Sequence, residues 1–216
     1  MEIPVQRVSR LRVAAGLALL SFSCGDSPTS PGGSTEACGG FGDWRVSPYT
    51  LPYAAGLGYP VEQGNCSPPG NGHRGAARFG YDFTMTIGTP LTAARGGVVI
   101  HVEESHSDGQ VAATGFDNFI VVAHADGTTA LYGHLTRDGA LVEQGVTVQR
   151  GEEIGRSGNT GNTSNRPHLH FSVHTCDPVV RGTAACASLP VNFRNTEPNP
   201  NGLSVGRSYV AGPVEP

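Results

Sequence analysis

From Trp44 onward, no stretch of this chain keeps a 3.6-residue apolar period long enough to bury one face of a helix. Short apolar runs alternate instead with glycines and Asp-Gly pairs, at residues 97–102, 118–124, 128–135, 146–149 and 168–174. Runs of that length, cut by turn residues, are the pattern of β-strands. Asp126-Gly127 lies between two of them and is a hairpin signal. The 31 glycines and 16 prolines supply the turns such a chain needs. These features predict an all-β fold, a compact antiparallel β-sandwich-like single domain with little helix. The 216 residues suffice for one core plus tails. A formal charge of −4 provides no basic footprint for nucleic acid or anionic lipid.

The two ends read differently from the middle. Arg7, Arg10 and Arg12 precede an apolar run at residues 13–20. That run is shorter than the roughly 20 residues a membrane span requires, so residues 1–24 read as a signal peptide. Ser21-Phe22-Ser23 offers a small-x-small cleavage site, whereas Cys24 offers a lipidated N-terminus. The polar segment Gly25-Asp26-Ser27-Pro28 after Cys24 resembles a lipoprotein tether and favours the second fate. Residues 25–43 read as a flexible Ser/Pro/Gly-rich linker, 44–195 as the folded domain, and 196–216 as a C-terminal tail with an edge strand near 208–211. With Cys24 set aside, Cys38, Cys66, Cys176 and Cys186 permit three pairings, and the local one, Cys38–Cys66 with Cys176–Cys186, is expected. Export to an oxidising compartment fits those bonds, and no CxxC suggests a cysteine-ligated metal.

Three pieces carry chemistry. In His168-Leu169-His170-Phe171-Ser172-Val173, alternation places His168 and His170 on one face of a strand, with Cα atoms about 6.6 Å apart. Leu169, Phe171 and Val173 then face the core. Tyr132-Gly133-His134-Leu135 ends another strand and offers a third imidazole. Asp82 sits among Phe79, Tyr81, Phe83, Met85 and Ile87, nine positions after His73. A carboxylate in apolar company needs a partner or a cation. A catalytic zinc takes three protein ligands from His, Asp or Glu and keeps one position open for water. His73, Asp82 and one of His168 and His170 supply such a set. The two remaining imidazoles suit proton transfer near neutral pH. His101, His106 and His124 read as bystanders, His174 as a solvated side chain further along the strand, and Trp44 as a core or hairpin aromatic.

The order His73…Asp82, Tyr132-Gly133-His134-Leu135, His168-Leu169-His170 resembles the lysostaphin/LytM family of zinc endopeptidases. The flanks Ile87-Gly88-Thr89-Pro90, Gly151-Glu152-Glu153-Ile154-Gly155 and Ser157-Gly158-Asn159-Thr160-Gly161 match it as well. The resemblance covers residues 44–195. The His73–Asp82 spacing is longer than the family's more familiar one and is similar to its β-lytic branch, which carries an aromatic-Asp-Phe motif. Ser164-Asn165-Arg166-Pro167 lacks the glycine often found before that proline, which bears on substrate preference.

The resemblance implies that His73, Asp82 and His170 bind Zn2+, that His168 is the general base, and that His134 orients the water or stabilises the oxyanion. It also implies long loops bordering a metal-floored groove, and a monomer that hydrolyses peptide crosslinks or bridges of peptidoglycan. The expected location is the periplasm or cell envelope, either as soluble exported protein or held by a lipid anchor at Cys24. Two other readings remain: a non-catalytic regulator of cell-wall hydrolases, and an exported peptidase acting on Gly-rich proteins.

Overall fold

The strands expected from the alternating runs form, and nearly all of them pair antiparallel. The computed structural model describes residues 38–66, 73–109, 117–182 and 185–215. The signal-peptide and lipid-anchor readings therefore lie outside the described residues.

Eleven strands are present among the described residues. They are β1 (Gly58–Gln63), β2 (Tyr81–Thr84), β3 (Pro90–Thr92), β4 (Gly97–Glu103), β5 (Phe119–Ala123), β6 (Thr129–Gly133), β7 (Leu135–Ala140), β8 (Thr147–Val148), β9 (Glu153–Ser157), β10 (His168–His174) and β11 (Ser208–Val210). Among the described residues, helix is limited to one four-residue α-helix, α1 (Pro178–Arg181), and two 3-10 turns, Trp44–Val46 and Gly75–Ala77. An eight-stranded sheet runs β11-β1-β2-β10-β6-β5-β4-β8, and a three-stranded sheet runs β3-β9-β7. The Asp126-Gly127 hairpin is present, with Ala123 opposite Thr129 across β5 and β6.

One core joins the two sheets. Leu91, Leu135 and Ile154 from the small sheet cluster with Val99, Ile120, Tyr132, Leu169 and Phe171 from the large one. The approach is close at Gly155 on β9, where a Cβ would lie 3.1 Å from Ile120 Cδ1. The segment after residue 195 takes part in this core: Leu203, Tyr209 and Ala211 are buried, and β11 extends the large sheet beside β1. Trp44 departs from expectation. It is half-buried in a 3-10 turn rather than in the core or a hairpin, because Asp43 caps that turn through the Arg45 N–H and directs the chain along the surface.

Both expected disulfides are formed. Cys38 and Cys66 have Cα atoms 5.8 Å apart, and Cys176 and Cys186 have Cα atoms 5.4 Å apart. Each is within the range a disulfide spans, and each would stabilise the fold by about 2–4 kcal/mol.

Candidate metal centre

The site is assembled around β10, which lies between β2 and β6. On β10, Leu169, Phe171 and Val173 are fully buried in the core, as alternation requires. His168 and His170 take the opposite face. His170 stands directly across from Asp82 of β2 on one side and Gly133 of β6 on the other. Directly opposed residues share a sheet face, so the Asp82 carboxylate is delivered to the His170 ring. His170 Nδ1 lies 2.9 Å from Asp82 Oδ1. His168 Nε2 lies 3.7 Å from the other carboxylate oxygen.

His73 arrives from outside the sheet, on the loop that enters the Gly75–Ala77 turn. Its Nε2 is 3.2 Å from Asp82 Oδ1, and its ring meets that of His170 edge-on, with centroids 4.7 Å apart. The loop returns to β2 through Gly80. A Cβ at Gly80 would sit 2.9 Å from His170 Cε1 and 3.0 Å from His73 Nδ1. No side chain fits there unless the rings shift, so Gly80 makes the room in which the two imidazoles meet. The sequence contains no signal for this role, since the glycine is one of 31.

The ligand-capable atoms of His73, Asp82 and His170 all lie within 4.8 Å of one another, and the three could hold a metal ion. Two imidazole nitrogens and one carboxylate oxygen form a donor set of the catalytic-zinc type. The three groups perturb one another. Burial opposes the charge on Asp82, but the His170 and His73 imidazoles set against it outweigh burial and hold the carboxyl far below its ordinary range. Burial also lowers His73, yet its contact with Asp82 prevails and raises it above the usual imidazole value. His170 is pushed down to about 4, chiefly by burial and against the pull of Asp82.

The other two imidazoles stand beside this group. The His134 ring centroid is 4.6 Å from that of His168 and 6.0 Å from that of His170. His134 lies between β6 and β7 with a φ of 63°, a left-handed conformation uncommon outside glycine. That reversal lets the chain leave β6 for the small sheet while keeping the ring at the site. His134 Nδ1 is 2.8 Å from Thr160 O and 3.3 Å from Asp117 Oδ1. His168 Nδ1 is 2.7 Å from Arg166 O. A carbonyl oxygen only accepts, so both rings donate from Nδ1, and in the neutral form of each ring Nε2 is the nitrogen that accepts. Burial lowers His168 below the usual imidazole value, despite the opposing field of Asp82, which keeps the ring neutral near pH 7. Asp117, Thr160 and the Arg166 carbonyl are supporting groups that the motif pattern does not reveal.

The remaining histidines lie elsewhere. His101 on β4 pairs with Asp177 at 2.7 Å, and His124 Nδ1 bonds the Gly96 carbonyl at 3.0 Å. His174 departs from the solvated expectation: it is 1% exposed, because residues 186–188 cover that end of β10.

Residues 76–183 match the model of peptidase family M23, described as Peptidase family M23. The chain is 36% identical over 121 residues to the peptidoglycan DD-endopeptidase ShyA of Vibrio cholerae, an alignment covering 55% of this chain and 24% of that protein. It is 31% identical over 99 residues to the DD-carboxypeptidase/endopeptidase Mpg of Neisseria meningitidis, covering 46% and 20%. The chain thus spans about a fifth to a quarter of the length of these relatives. Among solved structures, the catalytic domain of the antimicrobial peptidase lysostaphin from Staphylococcus simulans is 31% identical, with 63% of this chain and 88% of that one covered and a TM-score of 0.42. The family match takes in Asp82, Tyr132 to Leu135 and His168 to His170, the residues around which this site is built, and the chain belongs to peptidase family M23.

Proposed function

We propose that this chain is a zinc-dependent endopeptidase that hydrolyses peptide crosslinks or bridges of bacterial peptidoglycan. The observation that carries this reading is the convergence of His73, Asp82 and His170 within 4.8 Å, beside two imidazoles that donate from Nδ1 to backbone carbonyls. His73, Asp82 and His170 would hold the zinc. When bound, the ion supplies Lewis acidity, lowering the pKa of water to about 7 and polarising the scissile carbonyl. His168, held at Nδ1 by the Arg166 carbonyl, accepts the water's proton at Nε2 and hands it to the leaving amine. His134, held at Nδ1 by the Thr160 carbonyl, orients the water by accepting from it at Nε2. Asp117 Oδ1, 3.3 Å from the same Nδ1, helps fix the orientation of that ring. The peptidoglycan assignment is supported by the DD-endopeptidases the chain resembles, and a cell-envelope location is part of the same proposal.

The experiment is a metal determination on the purified chain, followed by mass-spectrometric digests of defined muropeptides. One zinc per chain and chelator-sensitive cleavage of a peptide bond are expected. Stoichiometric zinc with no muropeptide cleaved would refute the enzymatic reading and favour a regulator of other cell-wall hydrolases.

A further inference from the structure

Beyond the five chemical residues, β10 carries a second set of polar side chains on the same face. Positions 170, 172 and 174 alternate, so Ser172 and His174 follow His170 along the strand. Ser172 is fully buried and His174 nearly so. His174 Nδ1 lies 2.9 Å from the Cys186 carbonyl oxygen. His174 Nε2 lies 2.8 Å from Ser172 Oγ, and Ser172 Oγ lies 3.2 Å from His170 Nε2. The row therefore connects a disulfide-bonded cysteine to a candidate metal ligand through three consecutive hydrogen bonds.

The direction of these bonds follows from the end that cannot change. The Cys186 carbonyl only accepts, so His174 donates from Nδ1. Burial keeps His174 neutral, which leaves Nε2 as an acceptor. Ser172 then donates its hydroxyl hydrogen to His174, and its oxygen accepts from His170. His170 then carries its proton on Nε2, and its Nδ1 lone pair faces Asp82 Oδ1 at 2.9 Å, two acceptors that a shared cation would reconcile where no hydrogen bond can. Running the chain backwards would set the His174 Nδ1 lone pair against the Cys186 carbonyl in a dry interior, an arrangement that leaves both acceptors unsatisfied. The end of the chain is itself held in place. Cys186 is bonded to Cys176, Ser188 pairs with His174, and Ser188 also accepts from the Phe79 N–H near the His73 loop.

We propose that Ser172 and His174 are positioning residues that set the His170 tautomer so that Nδ1 faces the cation, with the Cys186 carbonyl fixing the direction of the chain. The proposal rests on the metal-site reading given above.

The test uses the full chain, with chelator-competition titration of zinc and long-range 1H–15N NMR of the imidazoles. The expected spectrum of the zinc-loaded protein shows His174 protonated on Nδ1 and His170 on Nε2. Ser172→Ala should weaken zinc binding about 10–100-fold, and Ser172→Thr, which retains the hydroxyl, should recover most of the loss. A purely structural Ser172 would shift the unfolding temperature of Ser172→Ala without changing zinc affinity. Unchanged zinc affinity in Ser172→Ala, or a His174 protonated on Nε2, overturns the relay while leaving the metal site intact. A wild-type chain that takes up no zinc removes the metal site, and the relay with it.

Discussion

The packing at Gly80 makes a single methyl group a sharp probe of the proposed metal centre. An alanine Cβ at this position would meet His170 Cε1 at 2.9 Å, His73 Nδ1 at 3.0 Å and His73 Cε1 at 3.2 Å, where ordinary contacts begin at 3.4 Å. The two rings must therefore separate by about 0.5 Å, whereas a metal site tolerates deviations of about 0.2 Å in its ligand distances. The backbone of Gly80 lies outside the left-handed region, so alanine is conformationally acceptable. Lower unfolded-state entropy stabilises such a variant by about 0.4–1 kcal/mol, and overpacking costs about 1–3 kcal/mol. The net effect on folding is then at most about 2.6 kcal/mol, while both imidazoles are displaced. Gly80→Ala should lose about 10–100-fold in zinc affinity by chelator competition. It should remain folded by thermal melting, with a shift of at most about 10 °C. Wild-type zinc affinity in a folded Gly80→Ala would refute the idea that this glycine makes the space for the two ligands.

Asp82→Ala should lose zinc altogether, whereas His134→Ala should keep stoichiometric zinc and lose about 10²–10⁴-fold in turnover. Zinc content and muropeptide kinetics separate the two, and full turnover in His134→Ala would remove that residue from the mechanism. Acid should destabilise the metal-free protein. His124, His168, His170 and His174 all have folded pKa values below the ordinary 6.5, His170 reaching about 4, with burial the leading cause in each case. Below about pH 6.5 the unfolded chain binds protons that the folded chain refuses, so the stability these groups contribute is present above 6.5 and lost as pH falls towards 4. His73, raised by Asp82, opposes them alone. Melting temperatures with chelator present should fall from pH 7 to pH 5, and a flat or rising profile would contradict this. Phe171→Ala removes a fully buried ring packed 5.3 Å from Tyr132 and 5.8 Å from Phe193 between centroids. It should cost about 3–5 kcal/mol and lower the melting temperature by about 6–20 °C. The exposed Val98→Ala should change stability by less than about 0.5 kcal/mol.

Much of this architecture is written in local pattern. The period of two in His168 to His174 decided which side chains enter the core and which stand at the site, because a strand's alternation needs nothing beyond its own residues. Asp126-Gly127 specified its hairpin for the same reason, and short loop separations favoured the two disulfide pairings. Tertiary structure alone decided how these pieces meet. It placed His73 against His170 by way of a glycine at position 80, turned His134 through a left-handed backbone onto the Thr160 carbonyl, and buried His174 beneath residues 186–188. Periodicity reports the neighbours of a residue along its own strand. It carries no information about which distant loop will pack over that strand, and the dry surroundings that set tautomers and charge here come from those loops.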